Sequence, residues 1–411
     1  MPRQETPVLQ HEDFTRHCWD ESYTLPENLF LAWQRTGSSR YLEMAQQYLF
    51  DGQYFDPLAR GENVLPGRHA YSHVNALSSS AQAYLSLRNP KYLRAALNGM
   101  AMVEEQSFAT GGWGPDEHFI TPGSGKLGES LNATHASFET PCGSYAHFKI
   151  ARYLLRITKS GLYGDSMERV LYNTVLGAKP IRPDGSAFYY SDYNFEGSKF
   201  YHPDKWPCCS GTLPQIAADY GISAYFRDRQ DLFVNLYVPS TVTWTSGRAT
   251  YSVKQTTGYP FDSYLRFEVA LSSPADFSVF LRVPQWTDGA RVAVSGMRGS
   301  RMLKSGSFAE IRRTWKTGDR IELELPFKMT LEAVDQQHSN DVALLWGPLV
   351  LMALRSGASN RVGKATLLAA KPEPGVSHTW TAGVQGHELS LKPFMEIGDE
   401  QYTTYVRTHS A

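Results

Sequence analysis

Apolar positions in the first half of the chain fall at helical spacing. Tyr41, Met44, Ala45, Tyr48 and Leu49 share one stripe, and Phe148, Ala151, Leu154 and Leu155 another. Each run is cut by a helix breaker and restarts behind it: Leu29 to Arg35 stops at Thr36-Gly37, Ala81 to Arg88 at Asn89-Pro90, and Tyr145 to Leu155 at Ser160-Gly161. A recurring unit of helix, break and second helix predicts an α/α toroid or solenoid. About three and a half pairs can be counted before the pattern stops near Tyr225, few for a ring of six pairs, so the array is open or its beginning lies upstream.

From Asp231 the period changes to two. Leu232 to Val238, Tyr264 to Val269 and Phe277 to Pro284 alternate inward and outward residues between Gly, Pro and Ser turns, which predicts an antiparallel β module. A strand over Arg320 to Pro326 follows, and the apolar run Val342 to Met352 opens a second, smaller β unit. The expected domains are 1–227 (helical), 228–335 and 336–411 (both β).

Composition narrows the function classes. With 40 basic against 41 acidic residues and a formal charge of −1, the chain has no cationic run of the kind nucleic acid or anionic lipid requires. No apolar stretch is long enough to span a bilayer, and Met1-Pro2-Arg3-Gln4-Glu5 lacks the basic-then-apolar pattern of a signal peptide. A neutral or small substrate is expected, with the cytoplasm as the default location and an upstream export signal left open. Aromatic residues at 13% suit stacking on sugar rings, although most aromatics serve a core.

The four cysteines carry the sharpest chemical signal. Cys208 and Cys209 are adjacent in Trp206-Pro207-Cys208-Cys209-Ser210-Gly211-Thr212, and Cys142 follows a carboxylate in Glu139-Thr140-Pro141-Cys142. Cys18 stands apart. Three sulfurs and one carboxylate make a soft four-coordinate set that suits zinc, whereas lone buried cysteines are ordinarily small hydrophobes. Thr110 to Ser137 reads as a long irregular segment, opening with Gly111-Gly112-Trp113-Gly114-Pro115-Asp116-Glu117-His118-Phe119. Beside aromatics and Asp116, Glu117 is either a general acid of raised pKa or a solvated loop carboxylate. His69 and His73 stand at i and i+4 at the start of a helix, where one face could hold both; Ala70 replaces the glutamate a zinc protease would need. No Gly-x-Ser-x-Gly elbow supports a serine triad.

In this order Glu117-His118-Phe119, Glu139-Thr140-Pro141-Cys142, Glu168-Arg169-Val170-Leu171-Tyr172-Asn173, Cys208-Cys209, Leu281-Arg282-Val283-Pro284-Gln285-Trp286 and Trp346-Gly347-Pro348-Leu349-Val350 resemble the zinc- and cysteine-dependent β-L-arabinofuranosidases of glycoside hydrolase family 127. The resemblance runs from about Glu21 to the C-terminus. It implies an (α/α)6-type barrel, partial here, followed by two antiparallel β-sandwiches. It also implies zinc on Glu139, Cys142, Cys208 and Cys209, with Cys208 as nucleophile, Glu117 as acid/base, and His69, Glu168 and Tyr190 touching a carbohydrate substrate. Relatives show Glu-x-Cys where Thr140-Pro141 intervene here, so the backbone is expected to bulge if both ligands are to reach one metal. Against this retaining glycosidase stands a non-catalytic, zinc-stapled carbohydrate-binding fragment. The family's chain has helices ahead of this one's start, so an apolar flank, poor solubility and a possible homo-oligomer are expected.

Overall fold

The computed structural model describes residues 22–354, 362–384 and 387–408; Cys18 and the N-terminal residues read above lie outside them. The chain forms two compact units that interleave along the sequence. One takes the chain as far as Leu154, with Ala178–Pro214 and Val334–Ser339; the other holds Leu155–Gly177, Gln215–Ala333 and Asn340 onward.

Helices dominate the first unit, and they break where the sequence punctuates them. Pro26–Thr36 ends on Gly37 in the left-handed region (φ 70°), whose N–H closes on the Trp33 carbonyl at 2.8 Å. Ala70–Leu87 gives way to Pro90–Glu104 through Asn89, whose side chain accepts the Lys91 amide at 3.0 Å, with Pro90 in the first turn. Along Ala70–Leu87 the buried Ser79 and Ser80 let neighbouring backbone come close. Their hydroxyls donate to the carbonyls of Thr24 (3.2 Å) and Tyr92 (2.6 Å), so both find an acceptor. The segment 110–137 is less irregular than expected. It contains a 3₁₀ turn at Pro115–Glu117 and a helix at Lys126–Ala133, where Leu127 and Leu131, one turn apart, are buried.

The second unit carries the helix Leu162–Asn173 and three sheets. A six-stranded antiparallel sheet runs in the order Ser300–Met302, Arg291–Val294, Arg320–Glu324, Tyr264–Leu271, Ala249–Thr257, Ser240–Ser246. A four-stranded sheet runs Ser307–Trp315, Ala275–Val283, Asp231–Val234, Tyr225–Asp228. Within it Asp231–Val234 lies parallel to Ala275–Val283, a departure from the all-antiparallel expectation. Phe277 of this sheet meets Trp244 and Tyr251 of the other edge-on, at 6.0 and 5.6 Å between ring centroids. An eight-stranded sheet built from Met329 onward completes the unit. No helix among the described residues is long and apolar enough to cross a membrane.

Candidate active site and metal centre

The site assembles in the helical unit from four short stretches. Phe138–Glu139 forms a two-residue strand that pairs with Tyr190–Ser191, setting Glu139 opposite Tyr190. Immediately afterwards the backbone turns helical, so that Thr140–Thr158 carries Cys142 in its first turn. The strand-to-helix junction therefore accommodates Thr140-Pro141 without the expected bulge. Gly143 makes room for it: a Cβ there would sit 2.4 Å from the Phe138 ring. Cys208 and Cys209 open the helix Cys208–Ile222 directly behind Pro207.

Glu139, Cys142, Cys208 and Cys209 each bring one ligand atom within 4.8 Å of the others. Cys142 Sγ lies 3.7 Å from Cys208 Sγ and 3.4 Å from Cys209 Sγ, while Glu139 Oε1 lies 3.6 and 3.5 Å from the Cys208 and Cys209 sulfurs. Cys142, Cys209 and Glu139 are buried; Cys208 is exposed. Glu139 Oε2 is buried without a hydrogen-bond partner.

Four acidic groups in one place cannot all ionise unaided. Burial, with the charges of Glu117 and Cys208, pushes the Glu139 carboxyl up to about 8. Burial also holds Cys209 in its thiol form, and its bond to Cys208 does the same for Cys142. The negative charge settles on Cys208, held well below the ordinary thiol range by hydrogen bonds from Cys142 and Cys209 and from the Tyr189 hydroxyl, 3.1 Å from its sulfur. An orphaned carboxylate oxygen and two thiols kept protonated by their neighbours fit a metal cation, which would take the place of those protons.

Facing this cluster, Glu117 sits in a strained turn. Both Asp116 (φ 52°) and Glu117 (φ 63°) occupy the left-handed region. Asp116 is tied by its N–H to the Ala136 carbonyl (2.9 Å) and by its carboxylate to the Thr134 hydroxyl (2.5 Å). The next residue, His118, bridges His69 at the start of Ala70–Leu87. Glu117 Oε1 accepts from the Tyr190 hydroxyl at 2.5 Å, and Oε2 lies 3.4 Å from His69 Nε2. Burial works to raise its pKa, as the sequence suggested, but the His69 and Tyr190 hydrogen bonds outweigh it and hold the carboxyl below its ordinary value. That corrects the expectation of a raised pKa for the open site.

Of the expected residues, then, Glu117, His69, Tyr190, Glu139, Cys142, Cys208 and Cys209 come together; the remaining one is Glu168. It lies in the other unit, where Arg282 Nη2 (2.5 Å) and the Tyr259 hydroxyl (2.6 Å) donate to Oε1 and the Trp286 indole to Oε2 (3.0 Å). Both its oxygens are thus engaged, and the residue is buried within this ion-pair network. His73 turns away: Nδ1 donates to the His69 carbonyl (2.7 Å) and Nε2 accepts from Tyr23 (2.6 Å). Burial lowers its pKa to about 3, so the ring is neutral. Two neighbours of the cysteines escaped the sequence reading, Tyr189 and Thr212, the latter with its hydroxyl 3.0 Å from Cys142 Sγ. Thr212 was detectable in principle, one helical turn after Cys208; Tyr189 carried no signal that set it apart from Tyr190.

Residues 3–221 match the family model described as the β-L-arabinofuranosidase GH127 catalytic domain, and residues 231–327 match the GH127 middle domain. A non-reducing end β-L-arabinofuranosidase of Bifidobacterium longum subsp. longum is 24% identical over 56% of this chain, and the match spans only 38% of that relative's length. A GH127 β-L-arabinofuranosidase from Geobacillus stearothermophilus T6 superimposes with a TM-score of 0.71 at 20% identity, over 93% of this chain and 71% of that one. A structure described as a glycoside hydrolase gives 0.74 at 18% identity, over 98% and 78%. Helices followed by several sheets are common to these folds. Since the catalytic-domain match alone takes in more than half of the sequence, this chain belongs to the GH127 β-L-arabinofuranosidase family.

Proposed function

We propose that the chain is a retaining glycoside hydrolase acting on β-L-arabinofuranosides or furanosides of similar shape. Cys208 is its nucleophile, Glu117 its acid/base, and Glu139, Cys142, Cys208 and Cys209 hold zinc. The observation that carries the reading is the division of labour among three sulfurs: two are buried thiols, while the exposed third bears the charge, and Glu139 belongs both to their cluster and to the one that Glu117 forms with His69. Zinc suits the donor set by size. Four ligand atoms about 2.0–2.3 Å from a common centre at tetrahedral angles lie roughly 3.5–3.8 Å apart, and the Cys142–Cys208, Cys142–Cys209, Cys208–Glu139 and Cys209–Glu139 pairs are 3.4–3.7 Å apart. When bound, the ion would supply the positive charge that lets these sulfurs stay thiolates at neutral pH.

Cys208 sulfur attacks the anomeric carbon as the bond to the leaving oxygen breaks, and Glu117 gives that oxygen its proton. To do so Glu117 must first take up a proton. A substrate covering the site would deepen the burial that already works in that direction. Glu117 then draws a proton from water, whose oxygen displaces the sulfur, and two inversions restore the configuration. His69 and Tyr190 orient the Glu117 carboxylate through both stages and stand at hand for sugar hydroxyls. The reading carries with it a partial (α/α)6-type catalytic domain over 1–227 and β-sandwiches over 228–335 and 336–411.

The test is hydrolysis of a panel of aryl furanosides, the β-L-arabinofuranoside among them, by zinc-loaded protein, with the anomer of the first-formed sugar read by NMR. Retained configuration and loss of turnover in Cys208→Ser support the reading. A panel left uncleaved, or an inverted product, defeats it. A non-catalytic zinc staple would instead lose metal and fold together in Cys208→Ser.

A further inference from the structure

Two residues before the nucleophile stands a tryptophan that nothing in the chemistry above uses. Trp206 is 66% exposed, the most exposed large apolar side chain among the described residues. Its backbone is in the left-handed region (φ 53°), which disfavours any residue with a Cβ. An aromatic ring both exposed and held in a strained backbone is the reverse of what folding alone selects.

The surrounding hairpin explains how the ring is held. Residues 185–188 and 201–206 run antiparallel: Phe188 bridges Tyr201, His202 N–H donates to the Ala187 carbonyl (2.9 Å), and Trp206 N–H to the Gly185 carbonyl (2.9 Å). At its open end the indole rests on Gly185, itself at φ 86°. A Cβ there would fall 2.5 Å from the indole Nε1, so only glycine admits the ring. At its other end the hairpin is tied to the reacting sulfur. The His202 ring lies over Tyr189 at 4.7 Å between centroids, and the Tyr189 hydroxyl is 3.1 Å from Cys208 Sγ. His202 Nδ1 accepts the Asp204 amide at 3.2 Å, which puts the ring proton on Nε2. One side of the indole is thus backed by protein and the other is open; Trp206 stands two residues before the nucleophile in the chain, and the far end of its support is tied to that sulfur through Tyr189.

Resting on the reading of Cys208 as nucleophile, we propose that Trp206 is the stacking platform for the sugar on the leaving-group side of the scissile bond. It would make this a glycosidase that prefers a glycosyl leaving group to a small alcohol. The apolar face of a sugar ring covers an indole well, and the neighbouring His202 Nε2–H is a donor suited to a hydroxyl of the same ring.

The test compares wild type, Trp206→Ala and Trp206→Phe on a β-L-arabinofuranosyl disaccharide and on methyl β-L-arabinofuranoside, whose leaving group has no ring. In Trp206→Ala the ratio of kcat/KM for disaccharide over methyl glycoside should fall roughly tenfold, and Trp206→Phe should recover most of it. An unchanged ratio, including equal losses on both substrates, overturns the proposal. Calorimetry separates its failure from that of the parent reading. If wild type cleaves neither glycoside, the proposed hydrolysis falls, but a disaccharide Kd roughly tenfold weaker in Trp206→Ala would still uphold the platform. An unchanged Kd, or no binding by wild type, would sink it.

Discussion

Two places in this molecule bury several acids close together, and they resolve the conflict in opposite ways. In the β unit, Asp165 and Glu168 share Arg282, which is fully buried and donates to each at 2.5 Å; its Nε also donates to the Asn235 carbonyl at 2.6 Å. The compensating cation is part of the chain. Around Cys208 the acids are Glu139 and three thiols, and among the described residues no lysine or arginine is hydrogen-bonded to any of them. There the charge is suppressed by protonation, and Cys208 alone carries it. A closed cluster with its own counter-ion serves the fold, whereas one that lacks it is open to a cation from outside and has a reactive anion to offer.

The contrast can be broken most sharply at the two central residues. Cys208→Ser should lower turnover of the cleaved furanoside by about 10⁴-fold or more while the protein stays folded, its melting temperature lowered no further than stripping the metal lowers it, because three ligands remain. A variant that unfolds instead would make the cysteine cluster structural like its counterpart. Arg282→Met should destabilise the protein by roughly 3–5 kcal/mol, since it strands the buried Glu168 carboxylate and the half-buried Asp165 beside it. Adding Glu168→Gln should return part of that loss in denaturant titrations. A Glu168→Gln single variant that keeps its stability but raises KM would put Glu168 among the substrate contacts.

Smaller effects sharpen the comparison. Stripping the protein with a chelator and restoring zinc should shift stability by about 3–4 kcal/mol when free zinc stands 100- to 1,000-fold above Kd, with one zinc per chain by elemental analysis. No shift, or no bound zinc, would leave the cluster with its protons. Tyr189→Phe removes the hydroxyl from Cys208 and should cost about tenfold in kcat/KM, with metal content unchanged; full activity would show that the sulfur does not need that donor.

Much of this was legible in the sequence because it is written locally. Gly37, Asn89-Pro90 and Ser160-Gly161 stop helices wherever they stand, and the alternation in Tyr264 to Val269 needs no partner to be seen. Vicinal Cys208-Cys209 announces itself. What escaped depends on residues far apart in the chain. Nothing near Glu168 in the sequence announces its partner Arg282, 114 residues away. Whether Tyr189 or Tyr190 faces the sulfur is set by the pairing of Tyr190 with Glu139, and the parallel strand pair by a similar long-range choice. The lowered pKa of Glu117 follows from His69 and Tyr190, each brought to it from another part of the chain.

The left-handed turn at Asp116 and Glu117 bears on how such a protein ages in evolution. Each of these residues holds a backbone conformation that disfavours a Cβ by roughly 1–2 kcal/mol, and a change to glycine would release that strain. Drift under selection for stability alone would therefore run toward glycine at both positions. If Glu117 is the acid/base proposed above, a carboxylate kept at 117 against that gradient is held by turnover. In a descendant that no longer cleaves anything, this loop is where the erosion should begin, before the buried thiols and well before the helices that carry them.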